Sequence, residues 1–217
     1  MPVQIAKRHD TKGANRSERK RWAILNAATE TFLQNGYLGT NMDEVAQRAR
    51  VSKQTVYKQF ASKEALFIAI VSSMTSEAGD RVQNDMNDFN DHESLAAYLL
   101  AYAERQLTVV LTPRLMQLRR LVIGEAGRFP ELGKALYEGG PKRAIHGLAT
   151  VFERLADRGL LVIDDPLTAA SNFNWLVMGA PVNQAMLLGD KAIPNQTALR
   201  LHAADSVRVF LAAYGAK

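Results

Sequence analysis

Residues 40–63, TNMDEVAQRARVSKQTVYKQFASK, leave this chain little freedom. Two helix starts follow one another closely. Thr40 or Asn41, with Asp43 and Glu44 behind it, opens one helix, and Asn41-x-x-Glu44 is a variant of the capping box. Ser52 opens the next over about 53–59, and Phe60-Ala61-Ser62 ends it. A longer helix precedes the pair. Ser17 can cap it, it runs to about Asn35 with Ile24, Leu25, Ala28 and Phe32 on one face, and Gly36 ends it. Two short helices joined by a tight turn after a longer one form a helix-turn-helix pattern. Val45, Ala49 and Val51 point inward, Ala46 permits close approach, and Val56 and Phe60 anchor the second short helix as an i, i+4 pair. Arg50 stands where a tight turn ordinarily wants glycine. If the turn needs positive φ there, arginine costs about 1 kcal/mol.

The helical period dominates the rest of the chain. Ser62 caps a long fourth helix with Leu66, Ile70 and Met74 on one face. Further helices are expected over 92–110, 113–126, 130–138, 141–158, 165–188 and 195–214, separated by Pro113, Pro130, Gly139-Gly140-Pro141, Gly159, Pro166 and Pro194. Pro181 lies inside WLVMGAPVNQAMLL and is expected to kink or break that helix. The fold class is all-α, with about nine or ten helices. Three parts are expected: a disordered basic tail over 1–16, a helix-turn-helix domain over 17–63 and a larger helical domain over 64–217.

Charge separates these parts. Residues 1–63 hold 12 Lys and Arg against 5 Asp and Glu, whereas 64–217 hold 15 against 17. A basic head on a slightly acidic body implies a polyanionic partner. There is no cysteine, so disulfides, thiolate catalysis and Cys-based zinc sites are excluded. The N-terminus lacks the apolar stretch of a signal peptide, and no apolar run approaches the roughly 18 residues that span a bilayer. A cytoplasmic protein is expected.

A helical wheel turns Gln54, Thr55, Lys58 and Gln59 outward, with Lys53 at the N-terminal end and Tyr57 at the flank. Glutamine can bond an adenine edge bidentately, lysine reaches guanine acceptors, and threonine offers a hydroxyl and a methyl. Tyr57 and Lys58 suit phosphates, as do helix N-termini, near which Thr40, Ser52 and Lys63 stand. The alternative for these residues is a solvated polar helix.

The stretch AILNAATETFLQNGYLGTNMDEVAQRARVSKQTVYKQFASKEALF resembles the N-terminal domain of the TetR family of bacterial transcriptional regulators. The match includes Phe32, Gly36-Tyr37, Thr40, Met42-Asp43, Val45-Ala46, Ala49, Val51-Ser52, Thr55-Val56-Tyr57, Phe60 and Ser62-Lys63-Glu64 with Leu66. The resemblance implies a three-helix DNA-binding domain whose third helix enters the major groove. It implies phosphate contacts from Thr40, Tyr57 and Lys63, and base or backbone contacts from Lys53, Gln54, Thr55 and Gln59. Arg50 replaces the usual turn glycine, and Gln59 replaces a common histidine or tyrosine. Residues 120–141, RLVIGEAGRFPELGKALYEGGP, look like a C-terminal domain found in a subset of the family. That implies a dimer, often with a small-molecule pocket whose filling changes the separation of the two heads through the fourth helix.

In the last helix Leu199, Ala203, Val207, Phe210 and Tyr214 form a near-heptad stripe. With segment 165–188 it is a candidate four-helix interface across a two-fold axis, the alternative being a stripe buried within one chain. Candidates for a pocket taking a small apolar or amphipathic effector are Tyr98, Tyr102, Met116, Phe129, Tyr137, Trp175 and Met178, with Asn172 as polar orienter. Arg119 and Glu125 could meet a polar ligand, but surface pairing is the expectation for both. His9, His92, His146 and His202 have no metal-ligand spacing, and no phosphate loop or nucleophile elbow occurs. The Asp85/Asp88/Asp91 cluster and the Asp164-Asp165 pair read as helix-start or solvated carboxylates. No enzyme, cofactor or metal is expected. The leading function is a homodimeric, sequence-specific regulator, a ligand-released repressor on a near-palindromic operator. A nonspecific or architectural nucleic-acid binder and a helical small-molecule-binding protein or enzyme are the other classes.

Overall fold

The structure, a computed structural model, describes residues 16–83, 89 and 94–216. The basic tail, His9, His92 and the Asp85/Asp88/Asp91 cluster lie outside them, apart from Arg16. Among the described residues there are ten α-helices and no strand, only one isolated antiparallel bridge between Leu161 and Gly215. The chain divides into a head up to Ile70 and a body from Val71. That boundary falls inside α4 (Lys63–Gln83), later than the 63/64 boundary read from the sequence. The reason is packing. Leu66, Phe67 and Ile70 of α4 are buried in the head, with Phe67 stacked 4.7 Å from Phe32.

The head holds α1 (Arg16–Gly39), α2 (Met42–Arg48) and α3 (Lys53–Gln59). Gly36, at φ 72° and ψ 177°, interrupts α1 where the sequence places its end. Ile24, Ala28, Phe32, Val45 and Val56 are buried completely. Two start signals are placed differently. Ser17 lies inside the first turn of α1 and accepts from the Gln59 amide at 3.0 Å. Asn41 caps α2 through the Asp43 N–H, whereas Glu44 accepts from Asn35 and pairs with Arg48. The reciprocal arm of the capping box is therefore not made, because Glu44 has closer partners on α1 and α2.

The body holds the second half of α4, then α5 (Leu95–Val110), α6 (Pro113–Glu125), α7 (Pro130–Tyr137), α8 (Arg143–Asp157), α9 (Pro166–Leu188) and α10 (Gln196–Tyr214). Ser94, Thr112, Asp165 and Asn195 cap α5, α6, α9 and α10 through their side chains, each satisfying a backbone N–H of the first turn. Asp165 accepts from Leu167 and Thr168, which holds its carboxyl below the ordinary value, chiefly through the Thr168 hydroxyl. Phe152, Phe173 and Phe210 interlock with ring centroids 5.0 to 5.7 Å apart. Each is fully buried, for about 1.5–3 kcal/mol apiece.

Two expected breaks are bridged. Gly139-Gly140-Pro141 forms a single π-turn, Glu138–Lys142, that carries α7 into α8. The wider turn accommodates a proline, and Gly139 lies so close to Thr75 that a Cβ would sit 2.5 Å from its hydroxyl. Helix α9 runs unbroken through Pro181. Proline removes the N–H that would bond the Val177 carbonyl. That carbonyl instead accepts His202 Nε2 of α10 at 2.8 Å, so Nε2 carries the proton. Ser206 donates to the neighbouring Leu176 carbonyl at 3.1 Å. The lost helix bond has become a clasp between α9 and α10.

The dimer stripe needs correction. Leu199, Ala203, Val207 and Phe210 are buried within the single chain, and the Tyr214 ring lies tilted against Phe210, with centroids 4.9 Å apart, while its hydroxyl accepts from Asn172. The near-heptad spacing therefore marks the seam between α10 and its own α5 and α9. The outer faces carry exposed Leu176, Leu187 and Leu188 on α9 and exposed Leu201 and Val209 on α10.

Candidate nucleic-acid interface and ligand cavity

Helix α3 is held from beneath and open above. Val56 is wholly buried and Phe60 nearly so, whereas Lys53, Gln54, Tyr57 and Lys58 are exposed and Thr55 is half-buried. Ser52 caps the helix through the Thr55 N–H at 3.2 Å and exchanges a 2.8 Å hydrogen bond with the Thr55 hydroxyl. The turn into it is a Schellman motif. Val51 N–H donates to Ala46 at 3.0 Å and Arg50 N–H to Gln47 at 3.1 Å, with Arg50 at φ 55°. It is the one non-glycine residue at positive φ among the described residues. The turn thus does require the left-handed conformation that glycine adopts without strain.

Several expected contacts already have protein partners. Lys53 pairs with Asp43 at 2.8 Å, and the Asp43 carboxylate pushes its amine above the ordinary lysine value. The Thr40 hydroxyl is part-buried and donates to the Gly36 carbonyl at 2.7 Å. Lys63 donates to the Leu38 carbonyl at 3.2 Å and lies 4.9 Å from the Tyr37 ring centre. Gln59 departs most from the wheel: it is half-buried, turned to Ser17 of α1 rather than outward. Its position one turn beyond Thr55 places it over the α1–α3 seam. Arg21, which the sequence reading passed over, clamps the same seam, 4.4 Å from the Phe60 ring centre.

The body contains a cavity of about 660 Å³, lined from α4, α5, α6, α7, the π-turn, α8 and α9. Of the candidates, Tyr102, Trp175 and Met178 line it. The others do not. Met116 is fully buried core, Tyr98 packs edge-on against Phe89, Phe129 lies beside Arg128, Tyr137 is exposed, and Asn172 donates to Tyr214. The polar groups of the wall include instead Gln106, Asn174, Arg119 and Arg120, with Thr75, Gln83 and Asn183. Arg120 is bound to Asp190 and donates to the Ala185 carbonyl at 3.1 Å. Arg120, with Gln117, holds the Asp190 carboxyl below its usual value. A signal for the amide pair existed in the sequence. Gln106 continues the i, i+4 row Tyr98, Tyr102, and Asn174 interrupts the apolar run of α9, so each is a polar residue on a buried face. Among the described residues no cluster of His, Asp or Glu could hold a metal, and no helix is long and apolar enough to cross a membrane.

Two family models match. Residues 24–70 fit the model for bacterial regulatory proteins of the tetR family. Residues 97–216 fit the C-terminal domain of AefR-like transcriptional repressors. The crystal structure of a TetR-family regulator from Mesorhizobium loti MAFF303099 is 39% identical, covers 93% of this chain and 99% of its own, and superposes with a TM-score of 0.87. The flavonoid-responsive regulator FrrA is 30% identical over 91% of this chain and 98% of its own, with a TM-score of 0.74. YhgD, an uncharacterised helix-turn-helix regulator of Bacillus subtilis (strain 168), is 38% identical over 95 residues, 43% of this chain, and the chain spans 50% of its length. The anchored α2–α3 pair and the two successive domain matches make this chain a member of the TetR family of transcriptional regulators, DNA-binding proteins rather than enzymes.

Proposed function

We propose that the chain is a ligand-responsive repressor that binds a near-palindromic operator as a homodimer. The observation that carries the DNA reading is α3 itself: Val56 and Phe60 are sunk while Lys53, Gln54, Tyr57 and Lys58 stand exposed on one helix. Gln54 and Lys58 are the base readers, with Tyr57, Lys53 and Lys63 on phosphates. Thr40 contributes through its remaining lone pairs and through its place at the start of α2. Ser52 and Thr55 act by fixing the helix start, and Gln59 by holding α3 to α1.

The repressor sign is supported by the match to AefR-like repressors. Ligand response is supported by the cavity and by the flavonoid-responsive relative. Helix α9 buries Phe173 and Val177 but leaves Leu176, Leu187 and Leu188 exposed, among exposed Asn172, Asn183 and Gln184. With Leu201 and Val209 of α10 they form an exposed apolar surface of the kind that a second copy covers. Helix α4 begins in the head core, and Thr75, Ala78, Gly79 and Val82 further along it line the cavity. A filled cavity shifts α4 and so changes the spacing of the two heads.

Gln54→Ala tests the reading helix. Competition titrations with the DNA flanking the protein's own gene against random duplex should lose about 1–3 kcal/mol on the specific site and little on random DNA. An equal loss on both removes Gln54 from base recognition.

A further inference from the structure

The cavity wall holds one charge without a counter-charge. Among the described residues no Asp or Glu lines it, while Arg119 and Arg120 both do. Arg120 is neutralised by Asp190. Arg119, its neighbour on α6, makes no hydrogen bond or ion pair among the described residues. Burial holds its guanidinium below the ordinary arginine value, yet arginine does not lose its proton in a protein. Tyr102 cannot supply the missing anion, because burial pushes its phenol well above the ordinary value and keeps it neutral. An unpaired, partly desolvated cation in an apolar cavity is a poor arrangement for stability and a good one for receiving an anion.

A second polar feature belongs to the same wall. Gln106 and Asn174 are 3% and 1% exposed and meet through Gln106 Nε2 and Asn174 Oδ1 at 2.9 Å. That bond leaves Gln106 Oε1 buried with no partner. An orphaned acceptor of this kind is destabilising until a donor reaches it. The donor has to come from outside the chain or by rotation of the amide pair toward a bound molecule.

We propose that the cavity takes an amphipathic organic monoanion, whose acidic group pairs with Arg119 and whose single N–H or O–H satisfies the Gln106–Asn174 amide pair. The apolar body of the ligand fills the space between Val110, Leu118, Trp175, Met178 and Val182. A volume of about 660 Å³ suits a molecule of two or three fused or linked rings. The guanidinium fork favours a planar or tetrahedral oxyanion over a neutral polar group. The inference rests on the ligand-responsive reading, and its test reads binding directly, so that a regulator unresponsive to any ligand and a cavity of the wrong charge preference give different results.

Anilinonaphthalene sulfonate and phenylnaphthylamine share one apolar body and one N–H and differ in the sulfonate. Each is titrated into the full-length protein carrying Trp22→Phe, and quenching of Trp175, which lines the cavity, places the probe there. The wild-type cavity should bind the sulfonate at least about tenfold more tightly than the neutral amine, the size expected of a charge-assisted contact. Arg119→Gln should abolish that preference while keeping phenylnaphthylamine affinity, which also reports that the cavity is intact. Arg119→Lys should restore part of it. Gln106→Leu should weaken both probes by the same factor. Equal binding of the two probes by the wild-type cavity, no quenching by the sulfonate, a preference that survives Arg119→Gln, or loss of both probes together in that variant would overturn the assignment.

Discussion

Arg50 shows how a single residue can keep a turn while straining it. Its φ of 55° is what a Schellman motif requires at the position after the helix cap. A side chain there costs about 1 kcal/mol relative to glycine. Its side chain is exposed and has no hydrogen bond or ion pair among the described residues, so nothing in the head offsets the strain. Arg50→Gly should therefore raise the stability of the free protein by about 1 kcal/mol in urea denaturation. If the guanidinium serves a DNA phosphate, the same variant weakens binding to all sequences and lowers the salt slope by about one unit. Unchanged DNA binding would assign Arg50 no contact. The sequence exposed this position because the family pattern has glycine there. It could not reveal that Lys53, Thr40 and Lys63 are already engaged by Asp43, Gly36 and Leu38. Spacing gives the face of a helix, whereas the partner of a long side chain depends on which loop lies within reach.

At the scale of elements, Pro113, Pro130 and Pro166 each stand at the first helical position, of α6, α7 and α9. Pro181 and Pro141 did not act as breaks. The cost of an interior proline is a lost bond and a crowded turn, and both can be relieved by tertiary partners that periodicity does not show. His202 supplies the relief for Pro181. A double-mutant cycle tests this. His202→Leu should destabilise the protein by about 1–3 kcal/mol, because it leaves the Val177 carbonyl buried and unbonded. In a Pro181→Ala background, where the backbone N–H returns to that carbonyl, the same change should cost markedly less. Equal costs in both backgrounds would mean that the clasp does not answer the proline. The apolar stripe of α10 was legible as a stripe, but its partner was not. Leu199, Ala203, Val207 and Phe210 would read the same whether they faced a second copy or, as found, α5 and α9. The cavity residues divided likewise. Of the large aromatic and sulfur side chains, Tyr102, Trp175 and Met178 line the cavity, Tyr98 and Met116 fill core and Tyr137 is exposed, and the wall groups that stand out are the polar residues on buried faces, Gln106 and Asn174.

For the whole molecule, a regulator of the proposed kind needs a head that reads DNA and a body that dimerises and senses a ligand. With the inner face of α10 occupied, the outer faces of α9 and α10 remain for a second copy. Leu201, 69% exposed, should be dispensable for the fold and needed for the pair. Leu201→Lys should give monomers in sedimentation equilibrium with helix content unchanged. Phe210→Ala, by contrast, should lower folding stability by about 3–5 kcal/mol. A Leu201→Lys protein that stays dimeric would move the interface elsewhere. Two heads on one two-fold axis predict a specific pattern on DNA, with half-sites related by that axis. The decisive measurement is nuclease protection along the DNA flanking the protein's own gene, over a range of protein concentrations. One protected, near-palindromic site that appears well before general coverage, and is lost with Gln54→Ala, is the result expected of an operator-binding regulator. Uniform protection at all concentrations, unchanged by Gln54→Ala, would contradict it and leave a nonspecific binder of nucleic acid.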